Sequence, residues 1–341
     1  MELNRADIEK IGKMPMNFVA GKERSGTTLL QIMLNGHPHI SAPPESRFIM
    51  LQYSRYGHIQ QWTEQNLRDF INEIYYEGLF KTQWKLDKKE LLATLLPVCQ
   101  YLSYSLLCKS IYYLFAAPGK QITVLFDKNP VYYYFLPKLE QIFPEAKFIH
   151  LVRDYRANIV SHRRVFRIKS PADLAYRWMG VNKIIEERKK LSPNKYTLLR
   201  YEDLVTNPVK SMKDVCAFIG IEYDAGMNRD HTTSLTTKFA EEKTERFLKV
   251  HGSLLQPVNT THVEEWKDKL SPAETAEAEA IAGNYAEKMY GYKPTQPPIK
   301  ITSLRMLDIK ARYLAIKSLY RFVFKRLSLY YYIKRNVWND F

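Results

Sequence analysis

The sequence predicts an α/β protein. Its expected fold is a P-loop-type three-layer α/β/α arrangement on a central parallel sheet, with a helical insertion and a C-terminal basic amphipathic helical tail. Three observations predict it. Short apolar runs alternate with helical patterns, as in a parallel sheet covered on both faces. The first run ends in a Gly/Ser/Thr-rich loop that opens a helix. Apolar content of 45% over 341 residues suffices for a substantial core.

The elements follow in order. "MNFVAG", residues 16–21, is a short apolar run ending in glycine and reads as a buried strand. "TTLLQIMLNG", 27–36, has helical spacing and a glycine stop. Residues 58–117 read as an inserted helical layer rich in aromatics. "ITVLF" (122–126), "KFIHLV" (147–152) and "YTLLRY" (196–201) read as further strands. Helical patterns at 131–143, 156–167, 172–190 and 209–219 separate or follow them. The Pro-rich break "KPTQPPIK", 293–300, divides a body of residues 1–300 from a tail of 301–341.

Composition narrows the function classes. Three cysteines, Cys99, Cys108 and Cys216, are too few and too scattered for a disulfide framework or a zinc site, which fits a reducing, cytoplasmic setting. The N-terminal residues carry charge and no apolar h-region, so no signal peptide is expected. No apolar run reaches the ~18 residues that span a bilayer. The net charge of +15 favours anionic partners. Residues 301–341 hold nine Lys/Arg against two Asp, about half of that excess.

The loop "VAGKERSGTTLL" keeps the glycine spacing of a nucleotide-hydrolysing P-loop at Gly21 and Gly26, but Thr27 stands where that motif has lysine. Without it, Mg²⁺-assisted activation of a β/γ-phosphate loses its main charge partner. A phosphosulfate fits better, because its terminal group carries about one charge and needs no metal clamp. Arg24, Ser25, Gly26, Thr27 and Thr28 are then the candidate 5′-side contacts, through hydroxyls, loop amides and the helix N-terminus. Downstream, "FIHLVRDYRANIVSHRR" places Arg153 just past a strand and Ser161 two helical turns on. Together they suit a second phosphate.

"ERSGTTLL", "HLVRDYRANIVS" and "LLRYEDLV", in that order, resemble the PAPS-dependent sulfotransferase family, in its bacterial and tyrosylprotein-sulfotransferase-like branch. The resemblance covers roughly residues 14–292. It implies a 5′-phosphosulfate loop at Arg24–Thr28, a 3′-phosphate motif at Arg153 and Ser161, and Tyr201 near the adenine. "PESRFI" resembles the segment of the catalytic base, which falls on Glu45, and "FDKNP" that of a catalytic lysine, which falls on Lys128. Arg24 carries over as a third catalytic group. "QPVNTTHVEEWKDKLS" resembles the loop that closes over the cofactor, with Asn259–Lys267 as candidate contacts. An arginine expected past the 3′-phosphate serine falls on Val165, and Arg163 or Arg164 stands nearby. His37 and His39 are rival bases, more readily read as turn residues. His150 reads as core, and His162 as a neighbour of the 3′-phosphate.

The implied reaction moves a sulfuryl group from PAPS to an acceptor hydroxyl and leaves PAP, with no metal. The aromatic layer and basic tail suggest a lipophilic alcohol such as a sterol or lipid; a glycan or tyrosine hydroxyl is the alternative. In the tail, Ile309, Tyr313, Ile316, Tyr320, Phe324, Leu327 and Tyr331 recur at helical spacing with basic flanks. That stripe suits either an anionic membrane surface or packing on the protein itself. No nucleic-acid partner is expected. Readings of other classes are a nucleotide kinase or NTPase with an altered loop, and a non-catalytic membrane-surface module.

Overall fold

In the computed structural model of the chain, five short strands form one parallel sheet in the order β2-β3-β1-β4-β5. They are β1 (Met16–Ala20), β2 (Ile40–Ser41), β3 (Val124–Lys128), β4 (Phe148–Val152) and β5 (Tyr196–Arg200). The structure describes residues 3–116, 120–166, 169–228 and 258–337, with side chains of the last helix to Leu319 and at Phe322. Four strands match the predicted runs to within two residues. The two-residue β2 is too short to leave a period-2 signal. The chain divides into two compact units: Met1–Val19, Pro38–Lys147 and Ser318–Phe341; and Ala20–His37 with Phe148–Lys317.

In the first unit, β3 pairs in parallel with β1, Met16 opposite Leu125 and Val19 opposite Lys128, and with β2, Ile40 opposite Val124. Helix α1 (Arg5–Lys13) precedes β1, and Asn4 and Asp7 close its start as a reciprocal capping box. The expected helical layer is present and begins earlier than residue 58, at α3 (Phe48–Tyr56). It continues through α4 (Glu64–Ile74), α5 (Lys88–Leu95) and α6 (Tyr104–Leu114), and α7 (Leu136–Ile142) follows β3. Its aromatics pack on one another. The Phe48 ring lies 5.7–6.2 Å from those of Phe70, Phe80, Trp84 and Tyr112, three of the four edge-on, and all five residues are buried. This aromatic richness is therefore core, and the case for a lipophilic acceptor passes to the tail.

In the second unit, α2 (Thr27–Asn35) follows the loop after β1, and β4 pairs in parallel with β5 from Phe148–Tyr196 to Val152–Arg200. Every residue of β4 is buried, as expected of a strand covered on both faces. Helices α8 (Tyr155–Val165), α9 (Pro171–Leu191), α10 (Tyr201–Thr206), α11 (Pro208–Ile219), α12 (Trp266–Lys269) and α13 (Pro272–Tyr290) complete it. Ser170 caps α9 with Pro171 in the first turn, where a missing N–H costs nothing. A core around Trp178 joins α8, α9 and α13.

The last helix, α14, runs Ser303–Val337. Its first turns dock on this second unit. Ile309 is buried in the Trp178 core, Tyr313 meets Tyr176 edge-on at 5.4 Å, and Arg312 pairs with Asp173 at 3.2 Å. Of the two readings of the tail stripe, Ile309 and Tyr313 follow packing on the protein itself. Its members from Tyr320 onward lie outside the described side chains.

Candidate active site

In the second unit, β1 ends at Ala20, and the chain turns through residues 21–26 before α2 begins at Thr27. Two glycines are required there. A Cβ on Gly21 would stand 2.4 Å from the carbonyl oxygen of Leu151, so only glycine lets the loop lie against β4. Gly26 has φ +93°, and a Cβ on it would stand 2.4 Å from the Tyr201 ring. Arg24, between them, is also left-handed at φ 68°, an unusual conformation for a side-chain-bearing residue. Left-handed residues in a turn before a helix are the backbone material of anion-binding nests. Asn158 of α8 pins the loop, donating from Nδ2 to Glu23 O at 2.9 Å and Ser25 Oγ at 3.2 Å.

Cations gather around this loop. Arg24 Nε donates to Ser161 Oγ at 3.2 Å, and Arg153 Nη1 donates to Arg24 O at 3.3 Å. The Arg153 guanidinium lies 4.5 Å over the Tyr201 ring. Burial, then repulsion by Arg153 and Arg164, pulls Arg24 down to about 10. Burial, then Lys22, Arg177, Arg24 and Lys169, lowers His162 to about 3, so His162 is neutral here. Like charges held so close are what an anion would relieve. The structure thus brings Arg24, Ser25, Gly26, Arg153, Ser161 and Tyr201 together, at the start of the helix that Thr27 and Thr28 open. Lys22 does not join them as a ligand. It is buried and paired with Glu23, and burial followed by Arg177 holds it well below the usual lysine range.

The segment after residue 257 supplies carboxylate and carbonyl partners. Arg153 Nη2 donates to His262 O and lies 3.5 Å from Glu265, which also pairs with Arg164 and with His262 Nδ1 at 2.9 Å. Burial pushes Glu265 up, but hydrogen bonds from His262 and Arg164 outweigh it and hold the carboxyl below its usual range. Of the two arginines beside Val165, Arg164 turns to this cluster, and Arg163 pairs with Glu274 at 2.8 Å. Within the predicted segment 259–267, sequence reasoning did not single out Glu265, because a lone glutamate in "HVEEWK" carries no spacing signal.

The first unit holds a second cluster, rich in carboxylates. Lys128 ends β3, and its Nζ donates to Glu45 Oε2 at 3.3 Å; Arg47 Nη2 lies 3.9 Å from Glu45 Oε1. The loop bearing Glu45 is clamped from both sides. Glu77 accepts from the Ser46 hydroxyl and, at 2.8 Å, from the Arg47 amide, while Asn129 Nδ2 donates to Ser46 O. Burial raises Glu77 against the lowering effect of those two donors. Beside Lys128, Asp127 is buried and pushed up to about 8 by burial, opposed by the nearby Tyr112 hydroxyl and reinforced by Glu45. "FDKNP" thus supplies three neighbours with separate surroundings. Glu77 lies 32 positions from Glu45 in another loop, so no local motif could reveal it.

The histidines follow the sequence reading. His37 Nε2 donates to Glu222 O at 2.9 Å and His39 Nδ1 to Gln121 O at 2.7 Å, both turn contacts. His150 is buried and held by Asn182 at 2.8 Å. Among the described residues no group of three or more His, Cys, Asp or Glu side chains could hold a metal ion.

Comparison with known proteins agrees with this chemistry. A model of the sulfotransferase family matches residues 15–225. Protein-tyrosine sulfotransferase 1 of Danio rerio is 26% identical over 293 residues, spanning 84% of this chain and 74% of that protein. An omega-hydroxy-beta-dihydromenaquinone-9 sulfotransferase of Mycobacterium bovis is 29% identical over 108 residues, 28% of each chain. In fold, the chain resembles the sulfotransferase domain of the Synechococcus PCC 7002 olefin synthase, with TM-score 0.52, 22% identity, and 80% and 94% of the two chains covered. The chain belongs to the sulfotransferase family and is a PAPS-dependent enzyme, transferring sulfuryl to a hydroxyl acceptor.

Proposed function

We propose that the arginine cluster around the left-handed loop binds the phosphates of PAPS and that Glu45 is the base toward an acceptor hydroxyl. The observation that carries the first part is the convergence of the two arginines on the left-handed loop, Arg24 Nε donating to Ser161 Oγ at 3.2 Å and Arg153 Nη1 to Arg24 O at 3.3 Å. Arg153 and Ser161 take the 3′-phosphate. The amides of the loop, with Arg24, Thr27 and Thr28, take the 5′ side. Tyr201 packs beside the adenine.

PAPS supplies the sulfuryl group and leaves as PAP. Glu45 accepts the acceptor's hydroxyl proton as the new O–S bond forms, a role worth typically ~10²–10⁴-fold in rate. Arg24 and Lys128 offset the negative charge that grows on the leaving phosphate and sulfuryl oxygens. Glu77 and Asn129 fix the loop on which Glu45 stands. No step needs a metal or the hydrolysis of a nucleoside triphosphate, which sets this reading against a kinase or NTPase.

The acceptor is a hydroxyl on a lipophilic, membrane-borne alcohol. The basic last helix supports this, as does the local similarity to an enzyme named for a menaquinone derivative. The relatives that span 84% of the chain favour a second reading, a tyrosine hydroxyl. Turnover with labelled PAPS separates the two. A long-chain alcohol or isoprenoid alcohol in detergent should be labelled faster than a tyrosine-containing peptide. The reverse order would replace the lipid reading by the tyrosine one.

A further inference from the structure

The last helix carries two apolar stripes. The first, with Ile309, Tyr313 and the half-buried Met306, is docked on the second unit. On the opposite side of the helix stand Leu304, Leu307 and Leu314, exposed by 81%, 65% and 56%, with exposed Ala311 and Ala315 between and beside them. Steps of three, four and seven residues put these positions on one face. A single exposed leucine is ordinary. Three on one face, over ~15 Å of a helix already docked by its other side, form a surface that stays exposed among the described residues.

Charge says what covers it. Lys310 and Lys317 border the stripe on one side, and Arg305 and Arg312 on the other. The one acid in this stretch, Asp308, is held by Arg312 at 2.9 Å. Arg305 is paired with Glu277 and Arg312 with Asp173 as well, so the charge left to a partner is that of Lys310 and Lys317. A second copy pressed onto the stripe would bring these lysines together with no further acid of the helix to match them. An anionic lipid surface matches them, accepting the leucines at the acyl boundary and the lysines at the headgroups.

We propose that Leu304, Leu307 and Leu314, with Lys310 and Lys317, form a docking face for an anionic bilayer. This differs from the stripe that the sequence pattern alone singles out, whose described members Ile309 and Tyr313 are packed inward. The inference rests on the membrane-borne-acceptor reading for its purpose, but its test contains no acceptor, so each can fail alone.

The full chain is sedimented with phosphatidylcholine vesicles with and without phosphatidylserine. Wild type should pellet with the anionic vesicles and be released by salt. The triple variant L304S/L307S/L314S should lose at least ~10-fold in the partition coefficient, since each removed leucine withdraws apolar area from the boundary. It should keep the wild-type thermal response to PAP, because the altered side chains are exposed. The pair K310E/K317E should lose the preference for phosphatidylserine. Wild type remaining in the supernatant, or a triple variant that binds like wild type, overturns the proposal. A concentration-dependent dimer abolished by the triple variant would give the face to a second copy instead. Vesicle binding without sulfation of any lipid alcohol would overturn only the acceptor reading.

Discussion

Two clusters of ionisable groups divide this molecule, and their titrations are displaced in opposite senses. Around the loop at residues 21–26, cations crowd one another, and both Arg24 and His162 are pushed toward losing a proton. Around Glu45, carboxylates are buried near one another, and Asp127 and Glu77 are pushed toward keeping one. Burial is the largest cause in each case, and like charges add to it. The difference teaches what each region is built to meet. A surplus of fixed positive charge suits a polyanion that arrives whole, such as a nucleotide phosphosulfate. A carboxylate held against a lysine suits a proton that moves during reaction.

The largest expected effect breaks the two apart. Glu45→Gln should lower turnover ~10²–10⁴-fold while leaving the PAP-induced rise in melting temperature as in wild type. A variant that turns over normally would remove Glu45 as the base. Arg153→Ala should act the other way round. Losing a charged hydrogen-bonding partner costs ~1.5–3 kcal/mol, about 10–100-fold in PAP affinity. Adenosine 5′-phosphate, which lacks the 3′-phosphate, should bind nearly as before. Equal losses for both nucleotides would take Arg153 off the 3′-phosphate.

Gly26→Ala sharpens the loop's side of the comparison. A side chain at φ +93° costs about 1–2 kcal/mol, and here the Cβ also meets the Tyr201 ring that lies against Arg153. Melting temperature and PAP affinity should both fall; unchanged values for both would contradict the close approach.

The remaining effects are in the pH dependence of stability, where the two clusters oppose each other over part of the range, and their signs differ between the clusters. Asp127 keeps its proton in the fold up to about 8, against an ordinary 3.8. The folded state therefore binds more protons than the unfolded chain across that window, and stability falls as pH rises through it. His162 is protonated in the fold only below about 3, against an ordinary 6.5. There the unfolded chain binds more protons, and stability rises with pH. The two slopes oppose each other from 3.8 to 6.5, and only the Asp127 decline continues from 6.5 to about 8. Thermal melts across pH should show that decline in wild type and not in Asp127→Asn. His162→Gln should uncover a decline beginning nearer 3.8. Retention of the wild-type slope in Asp127→Asn would remove the raised Asp127 from the account.

The loop cluster was the more legible of the two in the sequence. Gly21, Gly26, Thr27 and Thr28 lie within one βα turn, where spacing alone dictates the backbone, and "HLVRDYRANIVS" puts Arg153 just before α8 and Ser161 two turns along it. The four longer strands were legible as short, mainly apolar runs. The Glu45 cluster is assembled from three separate stretches. Its clamp through Glu77 depends on how the helical layer folds back, which no periodicity encodes. The aromatics of that layer and the tail stripe show a second limit. Helical spacing marks an apolar face but not its partner, so "FINEIYYEGLF" turned out to pack on its neighbours, and Ile309 on α9 and α13.

The central claim is that the arginine-lined loop holds PAPS rather than a nucleoside triphosphate. The most direct measurement is a thermal-shift titration of the full chain with PAP, beside ATP with Mg²⁺ and adenosine 5′-phosphate. At a hundred times its dissociation constant, a ligand bound only by the fold adds ~2.7 kcal/mol of stability. The account predicts that PAP gives the largest shift at the lowest concentration, with adenosine 5′-phosphate far weaker and ATP with Mg²⁺ weaker than PAP. No response to PAP, or a larger one to ATP with Mg²⁺, would contradict it.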